Sequence, residues 1–333
     1  MLRMVMLLGT AGLVACGDKE SDTGGGSDTD PGADPVECTN SISETFPSDA
    51  ESEAFYKTSV EFKLVTAETD ATISVTDSAG ADVAGTTEVD GTTVRFTPST
   101  GFASGETYTA TLDYSCADAT ISFSTDPAVG TPIADPSTLV GNVYTLPLTE
   151  GRFVEPPGVG DLLGGLLTVN VLIEVAEASA TEIRMMGAIS MDGNPNAQDL
   201  CTETIDFPTA ADFSGNPFFA IGPEDTTLNV SGVSVTVDDL SITGAFSNDG
   251  TSMEGASLAG VIDTRPLEPL VGADACELLA GFGIPCIPCP SGDGDFCLAL
   301  EVQDMTAVQV NGLDLVPRSQ AEIDADASCV PPA

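Results

Sequence analysis

Asp192, Asn194, Asn196 and Glu203 place oxygen-bearing side chains at positions 1, 3, 5 and 12 of a twelve-residue stretch. Calcium takes six to eight hard oxygen ligands, so that spacing, closing on a carboxylate, suits it. Against it, Ala197 stands where the sharp turn of a calcium loop needs glycine, and Pro195 interrupts the run. A polar loop between strands is the first reading, and a calcium site the second. Cys286-Ile-Pro-Cys289 has the spacing of a redox pair or of half a zinc site. No βαβ pattern surrounds it, and Cys276 and Cys297 do not form a second matched pair, so structural disulfides are expected. Glu174, Asp199, Glu203, Asp263 and Glu301 are carboxylates that could pair across a cleft for glycoside hydrolysis. Nothing in their spacing selects two of them. The glycine-rich Gly160-Asp-Leu-Leu-Gly164-Gly165 lacks the lysine of a phosphate loop and reads as a turn.

Composition narrows the chemistry further. The chain of 333 residues has no histidine and no tryptophan. That removes Ser-His-Asp and Cys-His catalysis, imidazole metal sites and the usual switch near neutral pH. Aromatic residues make up 5%, too few for rich sugar platforms. No enzymatic activity is expected, and no cofactor beyond the calcium option. With 52 acidic against 9 basic residues, the net charge of −43 repels nucleic acid and anionic lipid surfaces. Solubility in a salty or exposed setting accounts for such a charge more simply than metal binding does.

The front of the chain carries one positive charge at Arg3, a short apolar run over residues 4–14, and small residues ending at Cys16. That is the pattern of a secretory signal, and the run is too short to cross a bilayer core of ~30 Å. Leu13-Val14-Ala15-Cys16 resembles the bacterial lipobox. The resemblance implies cleavage after residue 15, acylation of Cys16 and a stable multi-chain membrane anchor. Residues 16–36 then form a lipidated, acidic, glycine-rich tether, with a typical end-to-end distance of ~25 Å. Gly17 beside the lipidated cysteine favours the outer membrane of the envelope. Eight cysteines remain for disulfides in an oxidising compartment. Cys38 and Cys116 bracket the first folded region and are expected to pair. Cys201, Cys276, Cys286, Cys289, Cys297 and Cys329 belong to the second, with 15 possible connectivities left open.

From residue 60 to 125 apolar and polar residues alternate, as at Val60, Phe62 and Leu64 against Glu61 and Lys63. Asp90-Gly91 sits between two such runs as a hairpin signal. Ile73-Ser-Val-Thr-Asp-Ser-Ala-Gly80, Val94-Arg-Phe-Thr-Pro98, Gly105-Glu-Thr-Tyr-Thr-Ala-Thr-Leu112 and Phe123-Ser-Thr125 resemble the bacterial Ig-like domain of S-layer and surface proteins. The resemblance covers about residues 45–126 and implies a β-sandwich for spacing, display or adhesion, with no catalytic residues. A proline-rich joint at 127–137 leads to a region at 138–333 large enough for its own core. Strands are expected there at 140–148, 166–175, 182–191, 227–237, 240–246, 253–263 and 296–310. Asn248-Asp249-Gly250 and Asn311-Gly312 are expected turns, and one helix is expected at 273–281. The apolar run from Phe153 to Ile173 reads as core, or else as the lining of a cavity for an apolar ligand.

The expected molecule is all-β: an Ig-like sandwich at 37–126, then a larger antiparallel sandwich or partly closed barrel with one short helix. Its expected role is a non-catalytic one at the cell envelope, with an envelope protein, a glycan or an apolar ligand as partner. A carboxylate-dependent hydrolase is the more distant alternative.

Overall fold

In the computed structural model, residues 38–156, 169–230 and 233–329 are described. The signal, Cys16, the tether and the Gly160–Gly165 turn lie outside the described residues. Residues Thr39–Ala333 form one compact unit.

The first eight strands are β1 (Ile42–Phe46), β2 (Glu51–Ala54), β3 (Val60–Leu64), β4 (Thr72–Asp77), β5 (Gly85–Asp90), β6 (Thr93–Pro98), β7 (Thr107–Asp113) and β8 (Ala119–Thr125). They make two four-stranded sheets, ordered β1-β3-β6-β5 and β2-β8-β7-β4. β2 runs parallel to β8, and every other pairing is antiparallel. The period-two alternation turns Phe62, Val94, Phe96, Tyr108, Leu112 and Phe123 inward, all buried. Each such side chain contributes about 1.5–3 kcal/mol through burial. Phe102, Tyr108 and Phe123 pack as an aromatic trio with ring centroids 4.6–5.7 Å apart. The β5–β6 hairpin forms one residue later than expected: Asp90 pairs with Thr93, leaving Gly91-Thr92 as the loop. Gly91 takes φ 57°, which its missing side chain permits.

The remaining strands are β9 (Val143–Leu146), β10 (Arg152–Glu155), β11 (Val171–Ala178), β12 (Glu182–Met191), β13 (Asn194–Gln198), β14 (Ile205–Asp206), β15 (Ala211–Asp212), β16 (Phe218–Val230), β17 (Val233–Phe246), β18 (Ser252–Asp263) and β19 (Cys297–Gln309). They form one sheet of eleven strands, ordered β13-β12-β11-β9-β19-β18-β17-β16, with β10 on β19 and β14 and β15 on β12. The sheet curls until β16 lies near β12 and β15, a half-closed barrel. Its concave face is filled. Phe246 meets Tyr144, Phe213 and Phe219 at centroid distances of 5.1–6.0 Å, and Val175, Met185, Ile242 and Met305 complete the core.

Three expectations are corrected here. The stretch 227–237 is not one strand: it spans the end of β16 and the start of β17, and β17 runs on through 240–246. β16 escaped notice because Pro223 breaks its pattern; it is the edge strand, where a missing N–H is tolerated, and its register shifts around that proline. Asn311-Gly312 joins no strand pair, since β19 is the last strand, and Gly312 (φ 77°) instead starts a C-terminal strap. The expected helix forms at Ala275–Ala280, capped by Asp274 accepting from the N–H groups of Cys276 and Glu277. Two more helices accompany it, at Glu268–Val271 and Gln320–Ala325. The second starts with a Ser319–Glu322 capping box, a signal present in the sequence.

The strap crosses the convex face. Leu313 and Leu315 cover Val143, Leu172 and Ala188. Val316 and Gln198 exchange hydrogen bonds of 2.7 and 2.8 Å, and the Cys201–Cys329 disulfide fastens the far end.

Candidate functional site

Seven of the nine lysines and arginines lie among the described residues, and three of them gather where the Ig-like sandwich meets the curled sheet. Glu61 is the centre. On β3 it points away from the sandwich core, and cross-strand pairing sets it opposite Arg95 on β6, whose Nε donates at 2.8 Å. From β10, Arg152 Nη1 donates to the other oxygen at 3.0 Å. The carboxylate is only 11% exposed. Burial alone would raise its pKa, but Arg152 and Arg95 together outweigh it and hold the carboxyl below its ordinary value. Arg152 also donates to Gln303 at 2.8 Å, and Gln303 in turn donates to Glu301. The guanidinium lies 4.1 Å from the centroid of the Phe46 ring. Lys57 sits 4.2 Å from the centroid of Phe218, reaching from one part of the junction to the other.

Backbone features fix this junction. Gly255 (φ 55°) lets Phe55 lie directly against β18, where a Cβ would collide with the ring. The joint at 127–137 is stapled: Asn248 donates to the carbonyls of Ala128 and Pro127, and Asn216 exchanges two hydrogen bonds with Ile133. Asp304, at φ 60°, faces Glu51 and Glu254, and burial together with those carboxylates raises its pKa. A cleft of about 640 Å³ opens here, lined by both parts of the chain. A second, of about 770 Å³, lies on the other side of Glu61.

The residues singled out from sequence are mostly held elsewhere, on separate partners. Glu174 accepts from Leu315 N, Asp199 from Cys201 N and Glu203 from Gln320 N, while Asp263 pairs with Arg265. Of these five only Glu301 reaches the junction, where it lines the cleft together with Glu61 and Asp304, so no two of the five converge there. The calcium set is split as well. Asp192-Gly193 turns the β12–β13 hairpin, and Asn194 and Asn196 lie in a strand, with Asn196 accepting from Thr145. Among the described residues no group of three or more histidines, cysteines or carboxylates could hold a metal ion.

The cysteines among the described residues are engaged in disulfides. Cys276 bonds Cys286, Cys289 bonds Cys297, and Cys201 bonds Cys329; Cys38 and Cys116 are disulfide-bonded too. Cys286 and Cys289 therefore belong to different bridges, which removes both the redox pair and the zinc half-site. Of the apolar run, Phe153 and Ile173 pack on the core, and residues 157–168 lie outside the described ones.

The sequence reading missed the centre of the junction because alternation alone assigns Glu61 to solvent. The available signal was the pair Glu61 and Arg95, the second residue of β3 and the third of β6, two strands that turned out to be neighbours. No helix among the described residues is long and apolar enough to cross a membrane.

Residues 31–129 match the model of a family described as a bacterial Ig-like domain. Among solved structures the chain is similar to one described as "Structure of surface layer protein SbsC, domains 1-6", at 9% identity and a TM-score of 0.21. That match covers 84% of this chain and 53% of the other, so the chain spans about half of its neighbour's length. A likeness at that TM-score carries no argument. No curated protein matches.

Proposed function

We propose that this chain is a lipid-anchored protein of the bacterial cell envelope with a structural or display role and no catalytic one. The observation that carries the reading is the Glu61 bridge. One buried carboxylate takes an arginine from the Ig-like sandwich and another from the curled sheet, which ties both into one compact unit. A spacer or display element needs such a tie between its parts. The match at residues 31–129 supports a surface setting. The lipobox-like run before Cys16 supports acylation there, and the bonded cysteines support an oxidising compartment.

The test is metabolic labelling with a palmitate analogue in a bacterial host, followed by membrane fractionation. The expected result is a labelled protein that pellets with membranes, while Cys16→Ser is unlabelled and released. An unlabelled wild-type protein recovered from the cytosol with reduced cysteines overturns the proposal.

A further inference from the structure

The cleft of about 640 Å³ beside Glu61 has polar walls on both sides. Thr97, Ser99 and Thr100 line it from the sandwich, and Ser241, Thr243 and Ser257 line it from the sheet. None of these six hydroxyls hydrogen-bonds another protein group among the described residues, so their donors and acceptors stay available. Thr243 and Ser257 are directly paired across β17 and β18, and Ser241 lies two residues before Thr243 on the same face. Together they form a short row of hydroxyls at a strand's spacing. The Glu301–Gln303 pair adds a carboxylate and an amide, and half-buried Phe46, Phe55 and Phe218 add apolar surface.

We propose that this cleft binds a neutral oligosaccharide. Sugar hydroxyls both donate and accept, and they match walls built from serine, threonine, amide and carboxylate groups. Phe55, the lining phenylalanine with no cation over its ring, offers an apolar surface to sugar C–H groups. The volume falls within the range of small-ligand sites, which favour junctions between folded units. Charge selects against acidic glycans. Arg95 is committed to Glu61 and Lys57 lies over Phe218, so neither cation in the lining is left for an anionic group. The net charge of −43 repels anions in any case.

The experiment uses full-length protein in detergent micelles on a printed array of neutral and anionic oligosaccharides, followed by calorimetric titration of the best neutral binder. Retention of neutral oligosaccharides is expected. Thr243→Val keeps the side-chain shape without the hydroxyl and should weaken binding three- to tenfold. Ser257→Phe fills the cleft and should weaken it more than tenfold. Both variants are compared at unchanged thermal midpoint, and Thr243→Val decides the matter if Ser257→Phe does not fold. No retention of any neutral glycan, preferential retention of anionic ones, or binding unaffected by Thr243→Val overturns the proposal.

Discussion

Glu61 shows how a single side chain can carry the joint between two folded parts. Its carboxylate is shared by Arg95 and Arg152, and removing it leaves Arg152 with Gln303 and the Phe46 ring but no anionic partner in the bridge. Taking one partner from a largely buried ion pair is costly, because the remaining charge stays desolvated. Glu61→Ala should therefore lower stability by about 2–3 kcal/mol, read as a shift of the urea midpoint, and Glu61→Gln by less. The pH dependence follows from the direction of the shift. The folded carboxyl has a lowered pKa, so its contribution is complete above the ordinary value of 4.5 and disappears as pH falls through the folded value. Wild type should lose stability on acidification below about pH 4.5, and Glu61→Gln should lose less over that window. Equal acid sensitivity of the two would remove Glu61 from this role.

At the scale of elements, the C-terminal strap is held by packing, by hydrogen bonds and by a disulfide that joins residues 128 apart in sequence. The Cys276–Cys286 and Cys289–Cys297 bridges join residues only 10 and 8 apart. In the chain-entropy account a long closure restricts the unfolded chain more than a short one. Cys201→Ser with Cys329→Ser should thus cost about 3–5 kcal/mol, and Cys276→Ser with Cys286→Ser about 2–3 kcal/mol. Denaturant titration of the two double variants checks the order, and a reversed order would mean that native contacts rather than chain entropy dominate. Much of this level was legible in the sequence. Residues 182–191 and 253–263 fall on β12 and β18 almost residue for residue, because both are long runs without proline bounded by turn residues. Reading failed at β16, where Gly222-Pro223 hides an edge strand, and at the strap, where Leu313 and Leu315 lie at a strand's spacing but belong to no strand. Glu61 was out of reach for a different reason: its burial is decided by β10, ninety residues away in the chain, and local pattern records nothing of that.

Across the whole molecule, repulsion among 52 acidic residues opposes the short-range attractions that hold the fold. Six of the seven described cations are ion-paired and the seventh lies on an aromatic ring, so little positive charge remains to offset the excess. The long-range repulsion is exposed and is screened within about 10 Å at 0.1 M salt, whereas the Glu61 bridge is mostly shielded from ions. Repulsion should therefore yield to salt first. At pH 7 the melting temperature should rise between 10 mM and 0.5 M sodium chloride, and Glu61→Gln should show a rise of similar size. A fall with salt would place attractive surface pairs, not repulsion, in control.

The parallel pairing of β2 with β8 matters for a protein under tension. A pull that separates the start of the sandwich from its exit at Thr125 would peel β1 from β3 one rung at a time, yet it would drag β2 along β8. Hydrogen bonds loaded lengthwise must break together. That geometry makes the second strand, rather than the first, the mechanical latch of the sandwich against stretching forces.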